Sequence, residues 1–448
     1  MIPARAVVLV TLLIQPAALG AQAADLVVWW EESFTPAEDK AVHELIAAFE
    51  QDTGKQVELV RHEFDQQTAA VQVAIDAGRP PDFLFGQLAE HQIPRWAEEG
   101  RLVDLTDIIG PFKDVFDADT LEFSTLRNGR DGRTALYAVP MARDTTHVHV
   151  WKSLLEQVGL TLDDIPTEWD PFWSFWCDRV QPAVRKALSR DDVWGTGLPM
   201  SARAIDTRVS STEFQVAYGA LWASGDGRLQ VDDPAVRAGM IQALDGYTEI
   251  WRKDCTPPDS VDWAGIDNNK AFVGQRVVMT INGTLSTTNL LKETRPDDYH
   301  DNAATIDWPS SRDGQPLPIY GVLTRGAVFA AGGHVDTARE FVRFLVADVW
   351  LAHWLSFAGD RMLPPMTKLI DSPFWLDPSD PHRMRSAIQA LTRPRYDPYL
   401  VANRDWRTTR VFQDHVWEEA VHRVAADGIS PEQAVDEAIA RIKQILSE

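Results

Sequence analysis

The chain has 448 residues and sets 43 basic against 66 acidic side chains, for a formal charge of −23. Such a field repels nucleic acid and anionic membranes and suits neutral or cationic ligands. Cys177 and Cys255 are the whole cysteine complement, too few for a disulfide scaffold or a cysteine metal site; in an oxidising compartment they either pair or stay as buried thiols.

Residues 1–23 read as an export signal: Arg5, an apolar run over 6–14, and Ala21-Gln22-Ala23 as a small-x-small cleavage site. The run is too short to span a bilayer, and nothing downstream sustains about 18 apolar residues. Cleavage removes only Arg5, so the mature charge is 42 − 66 = −24. With no cysteine at the cleavage site, a soluble periplasmic monomer without a lipid anchor is expected. A mature chain of about 425 residues exceeds the usual single core, which predicts two lobes.

In chain order, 26–30 reads as a buried strand and 31–34 as the loop after it. Thr35-Pro36-Ala37-Glu38 is a capping box with proline at the first helical position. Val42, Leu45, Ile46 and Phe49 then share a helix face, Gly54 ends the helix, and Val57 and Leu59 alternate in the next strand. Ligands of open α/β sheets bind beyond the carboxyl ends of strands, which puts Glu31 and Glu32 where a ligand is met. Helices are predicted over 68–77, 93–99, 168–180, 182–188, 214–222 and 234–251. Strands are predicted over 82–85, 137–140, 147–151, 276–281 and 321–331, and the polar segment Arg143-Asp144-Thr145-Thr146 suits a crossing between lobes. Ala338, Phe341, Val342 and Leu345 mark one face of a late helix. Ser430-Pro431-Glu432-Gln433 caps the last one, with Val435, Ala438, Ile439 and Ile442 inward. Alternating strands and helices argue an α/β fold.

Leu26-Val27-Val28-Trp29-Trp30, Ala48-Phe49-Glu50-Gln51-Asp52-Thr53-Gly54, Pro80-Pro81-Asp82-Phe83-Leu84-Phe85, Gly100-Arg101-Leu102-Val103-Asp104-Leu105 and Met279-Thr280-Ile281-Asn282-Gly283 stand in an order and spacing that resembles family 1 extracellular solute-binding proteins of ABC importers, the group that includes the maltose-binding protein. The resemblance covers nearly the whole mature chain. It implies a two-lobed periplasmic binding protein fold of class II type, with a hinged interlobe ligand cleft. It also implies crossings near 141–144, 280–282 and 326–329, hence a first lobe of 24–142 and 281–327 and a second of 143–280 and 328–448. The function implied is capture of a sugar or sugar derivative by hinge closure and its delivery to membrane permease subunits, with no cofactor, no metal and no catalysis.

Carried over by position, the resemblance implies ligand contacts from Glu31, Glu32 and Ser33 in the first loop, Gln87 and His91 in the second, Asp144 at the first crossing, and Asn282 after the second. The resemblance also implies contacts from Arg361, whose loop borders the ligand in that family, and from Gly321. Thr284-Leu285 stand where the maltose-binding pattern has tryptophan. This departure argues against maltodextrin and moves the stacking role to Trp30, Trp222 or Tyr320. A glycosidase is the enzyme rival, because paired carboxylates also serve as acid and nucleophile, but no catalytic motif accompanies them. A binder of cationic amines such as polyamines is the other rival, suited by Glu31, Glu32 and Asp144. His147 and His149 alternate to one face and lack a third ligand for a metal; Asp397-Pro398 makes a turn out of the Tyr396–Tyr399 pair.

Overall fold

The computed structural model describes residues 24–64, 66–347 and 361–448; the expected signal peptide, 1–23, lies outside them. Two sheets organise the chain. The first runs Val57–His62, Leu26–Glu31, Phe83–Phe85, Leu323–Val328, Val139–Arg143; the first three strands are parallel, and Leu323–Val328 is antiparallel to both its neighbours. Successive side chains of a strand point to opposite faces, so Val28, Trp30, Phe83 and Phe85 face helices Pro36–Thr53 and Val335–Ala347, while Leu84 and Ala327 meet Val71, Ile75 and Trp96 on the other side. A sheet buried on both faces is the reason the first strand reads as an unbroken apolar run.

Helix Pro36–Thr53 starts and stops where the sequence predicts. Thr35 accepts the Glu38 N–H at 3.3 Å, and Gly54 takes the left-handed conformation, φ 72°. The box is altered in one respect: the Glu38 carboxylate reaches the Phe34 N–H at 3.0 Å, which leaves its other oxygen for a partner described below. Thr35→Ala should lower stability by about 1 kcal/mol, read as a shifted denaturation midpoint; an unchanged midpoint would mean that the Glu38 bond alone holds the end.

The second sheet runs Ala303–Ile306, His147–Trp151, Val277–Asn282, Trp194–Thr196. Its core joins helices Pro234–Arg252 and Pro431–Ser447, whose caps, Asp233 and Ser430, are the predicted ones. The predicted helices 168–180 and 182–188 are continuous in space, with a π-helical stretch at Phe175–Val180. Pro182 explains the wider turn, because it has no N–H to give to the preceding turn and its ring crowds that carbonyl. Cys177 lies in this stretch and is disulfide-bonded to Cys255, which decides between the two readings left open for the cysteines. Helix Ile205–Ala217 begins well before the expected 214–222. Almost every residue of it is buried, polar ones included, so it has no apolar stripe to read.

The lobe boundaries differ from those expected. Segment 281–322 stays with the second sheet: Ile281, Leu291, Tyr299, Ala303 and Ile319 all belong to its core. Val328, Ala338, Phe341, Val342 and Leu345, expected in the second lobe, pack with Leu26 and Phe49 in the first. Strand pairing is the physical reason. Val277–Asn282 lies wholly between two second-sheet partners, so the chain cannot leave there, whereas Leu323–Val328 lies between Phe83–Phe85 and Val139–Arg143. The return crossing is therefore at 320–323. There it runs beside the first crossing: Asp144 N–H donates to the Val322 carbonyl at 2.8 Å, Val322 N–H to Asp144 at 3.2 Å, and Thr146 N–H to Tyr320 at 3.3 Å.

Candidate functional site

Where the two crossings meet, side chains from both lobes form a connected polar network. Glu31 ends the first strand and is buried; its Oε2 accepts the Gln87 backbone N–H at 2.8 Å. The Gln87 side chain donates to Asp144 Oδ2 at 2.7 Å and accepts from Arg361 Nη1 at 2.8 Å. Arg361 also donates to the free oxygen of Glu38 at 2.7 Å and stands 3.7 Å from Glu31. Three carboxylates thus surround one guanidinium. Burial pushes Glu31 and Asp144 up to about 7, and the opposing pull of Arg361 leaves them there. Asp144 Oδ1 is buried with no hydrogen-bond partner.

A second group flanks the first. Arg325, on Leu323–Val328, is fully buried; it donates to Glu90 at 2.8 Å and to the Phe123 carbonyl at 2.8 Å. Glu90 is pushed up to about 7 by burial, with Arg325 opposing. Beside it His91 stacks on Tyr399, 4.0 Å between ring centres, and burial holds its imidazole well below the ordinary range. Tyr399 accepts the Tyr320 hydroxyl at 3.1 Å and lies under the Arg208 guanidinium, itself 3.5 Å from Glu418. Glu213 reaches in from the second lobe to accept the Thr146 hydroxyl and the Tyr320 N–H, while Asp397 accepts the Leu323 and Tyr399 N–H groups. Burial raises both to about 7.

The residues expected at the site divide accordingly. Glu31, Gln87, Asp144 and Arg361 form one network; His91 and Tyr320 meet through Tyr399. Glu32 is exposed, and Ser33 accepts from Arg61 at 2.8 Å. Gly321 packs against the Arg395 side chain, its N–H on the Tyr396 carbonyl. Two stacking platforms are corrected: Trp30 lies 2% exposed against Phe85, and Trp222 3% exposed against Phe412, so both are core residues in this conformation. Asn282 is consumed within the second lobe. Its amide donates to Asn269 at 2.6 Å and its carbonyl accepts from Thr284 and Ser286.

Sequence reasoning passed over Glu38, Glu90, Glu213, Arg325 and Asp397. Glu38 was visible only as a cap, and Arg325 and Glu213 sit inside elements whose pattern shows burial without showing what lies opposite. The histidine pair does share a face: the rings of His147 and His149 are 5.8 Å apart. They join a buried chain in which His382 donates to the Tyr299 carbonyl at 2.8 Å, so its Nδ1 accepts from Thr305, and Thr305 accepts from His149 at 3.0 Å. Asp397 caps Tyr399, in keeping with the turn expected there.

This arrangement, with carboxylates, amides and guanidinium groups set between two lobes, offers hydrogen-bond donors and acceptors to a polar solute; the serine–histidine contact nearby, His147 Nε2 to Ser386 Oγ at 2.9 Å, is buried. The fold is shared with solved structures. One is an ABC transporter solute-binding protein of Thermotoga lettingae bound with α-D-tagatose, 19% identical, TM-score 0.75, matching 94% of this chain and 99% of that one. Maltose-bound MalE3 of T. maritima is 17% identical, TM-score 0.73, with coverage of 94% and 99%. A sugar transporter protein of Arthrobacter chlorophenolicus with bound laminaribiose is 14% identical, TM-score 0.71, with coverage of 94% and 98%. At these identities the likeness establishes the two-lobed fold. No curated protein matches the chain. The family model of the bacterial extracellular solute-binding proteins matches residues 44–384, and the chain belongs to that family.

Proposed function

We propose that this chain is the exported sugar-binding component of an ABC importer, which closes its lobes on a sugar and presents it to a membrane permease. The observation that carries the reading is the meeting of polar side chains from both lobes at the paired crossings: Glu31, Gln87 and Arg361 from the first, Glu213 from the second, and Asp144 between them. Carboxylates and amides accept the hydroxyl hydrogens that a sugar presents on all sides. The ligands bound in the fold relatives, tagatose, maltose and laminaribiose, agree with it. Thin crossings between two separately packed cores permit rotation at little cost in packing. The membership in a family of binding proteins favours binding over turnover.

A thermal-shift screen of sugars, polyols, sugar acids and polyamines tests this, since ligand at about 100 times its Kd stabilises the folded state by about 2.7 kcal/mol. A sugar should raise the midpoint, be recovered intact, and reduce the radius of gyration in small-angle scattering. Asp144→Ala should weaken that binding roughly ten- to hundredfold, because a charged acceptor of one or two hydroxyls is removed. Turnover of the sugar would point to the glycosidase instead. Binding without change in scattering would remove the hinge.

A further inference from the structure

We propose that the solute taken up in this cleft is an amino sugar, its protonated nitrogen set against the carboxylates at the crossings. The inference rests on the reading of the cleft as the ligand site and narrows the ligand's chemistry. Charge balance is its first support. Glu31, Glu38, Glu90, Asp144, Glu213 and Asp397 are linked through this region by hydrogen bonds or direct electrostatic coupling, and only Arg361 and Arg325 are ion-paired with any of them. Six carboxylates against two guanidinium groups leave a surplus of 6 − 2 = 4 acidic groups. The neighbouring cations have carboxylates of their own: Arg208 has Glu418, and Arg143 and Arg395 together have Asp119 and Asp117.

The second support is independent of the count. Glu213, fully buried, has one oxygen with no hydrogen-bond partner in the chain, and so has Glu90 at 1% exposed, whose free oxygen lies 3.6 Å from His91 Nε2. A neutral sugar supplies hydroxyl donors to such oxygens, whereas an ammonium group on the ring supplies donors and also the positive charge that lets these buried carboxyls, held at about 7 without ligand, ionise on binding. A metal ion fits less well. Among the described residues no three His, Cys, Asp or Glu side chains are arranged to hold one, and carboxylates spread along two crossings match an extended organic ligand rather than a point charge.

Matched pairs test the proposal by titration calorimetry on the intact mature protein at pH 6.5: glucosamine with glucose, galactosamine with galactose, and β-1,4-linked diglucosamine with cellobiose, beside spermidine. At least one amino sugar should bind tenfold or more tighter than its neutral partner. Asp144→Asn and Glu213→Gln should each reduce that ratio at least threefold. Neutral sugars binding as well as their amino partners would overturn the amine and leave the sugar cleft standing. Spermidine exceeding every sugar would overturn the sugar half. Silence from all seven compounds overturns the proposal, and silence across the wider sugar screen as well overturns the reading beneath it.

Discussion

Arg325→Ala should destabilise the protein by about 3–5 kcal/mol, seen as a lower denaturant midpoint, because it strands a buried carboxylate. Arg325 and Glu90 are both fully buried, and the guanidinium also lies 4.1 Å from the centre of the Phe123 ring and donates to the Phe123 carbonyl. Removing it leaves Glu90 in a low-dielectric site with its pKa already pushed up to about 7 and its main opposing charge gone. The double variant Arg325→Met with Glu90→Gln should recover most of the loss, since no uncompensated charge remains. A single substitution costing under about 1 kcal/mol would show that water reaches the pair.

Between pH 6.5 and pH 8 the ligand-free protein should lose stability, by roughly 1 kcal/mol for each carboxylate raised to about 7. Glu31, Glu90, Asp144, Asp206, Glu213 and Asp397 are the six, each raised chiefly by burial. Their folded pKa lies above the unfolded value near 4, so the folded state holds protons that the unfolded chain has already released. The stability linked to them is complete below about pH 4 and is lost as pH rises through 7. Buried histidines act in the opposite sense and in a different window. His147 and His382 are lowered by burial to about 3 and about 4, so they cost stability as pH falls through the unfolded value near 6.5. At pH 6.5 they are still half-protonated in the unfolded chain, so between pH 6.5 and pH 8 each returns about 0.4 kcal/mol, which offsets only part of the loss from the carboxylates. Melting curves should show a midpoint several degrees lower at pH 8 than at pH 6.5, with a smaller drop in Asp144→Asn. A flat or rising midpoint would mean that the cleft carboxylates remain hydrated.

Much of the frame was legible because it is local. Thr35, Gly54, Asp233 and Ser430 act at helix ends through neighbours within a few residues, and the periodic apolar faces at Ala338 to Leu345 and Val435 to Ile442 pack as their spacing implies. The site was legible only in part. Glu31, Gln87, Asp144 and Arg361 were placed by the order of loops, and they do meet. Trp30 and Trp222 could not be told from core tryptophans, because an indole's sequence context is the same whether it covers a ligand or another ring.

By itself the sequence determined the α/β class, the two-lobe size, the helix ends and the loops that approach the cleft, since each of these follows from periodicity, capping chemistry or chain length. Tertiary structure alone decided which sheet each late strand joins. An apolar strand such as Leu323–Val328 satisfies either sheet until its backbone hydrogen bonds find partners, and those lie 180 or more residues earlier, at Val139–Arg143 and Phe83–Phe85. It also decided the pairing of Cys177 with Cys255 and of Arg325 with Glu90, separated by 78 and 235 residues. It decided the gathering of acidic groups at the crossings too, because burial and proximity, which set the energy of a carboxylate, belong to the folded chain and to no segment of it.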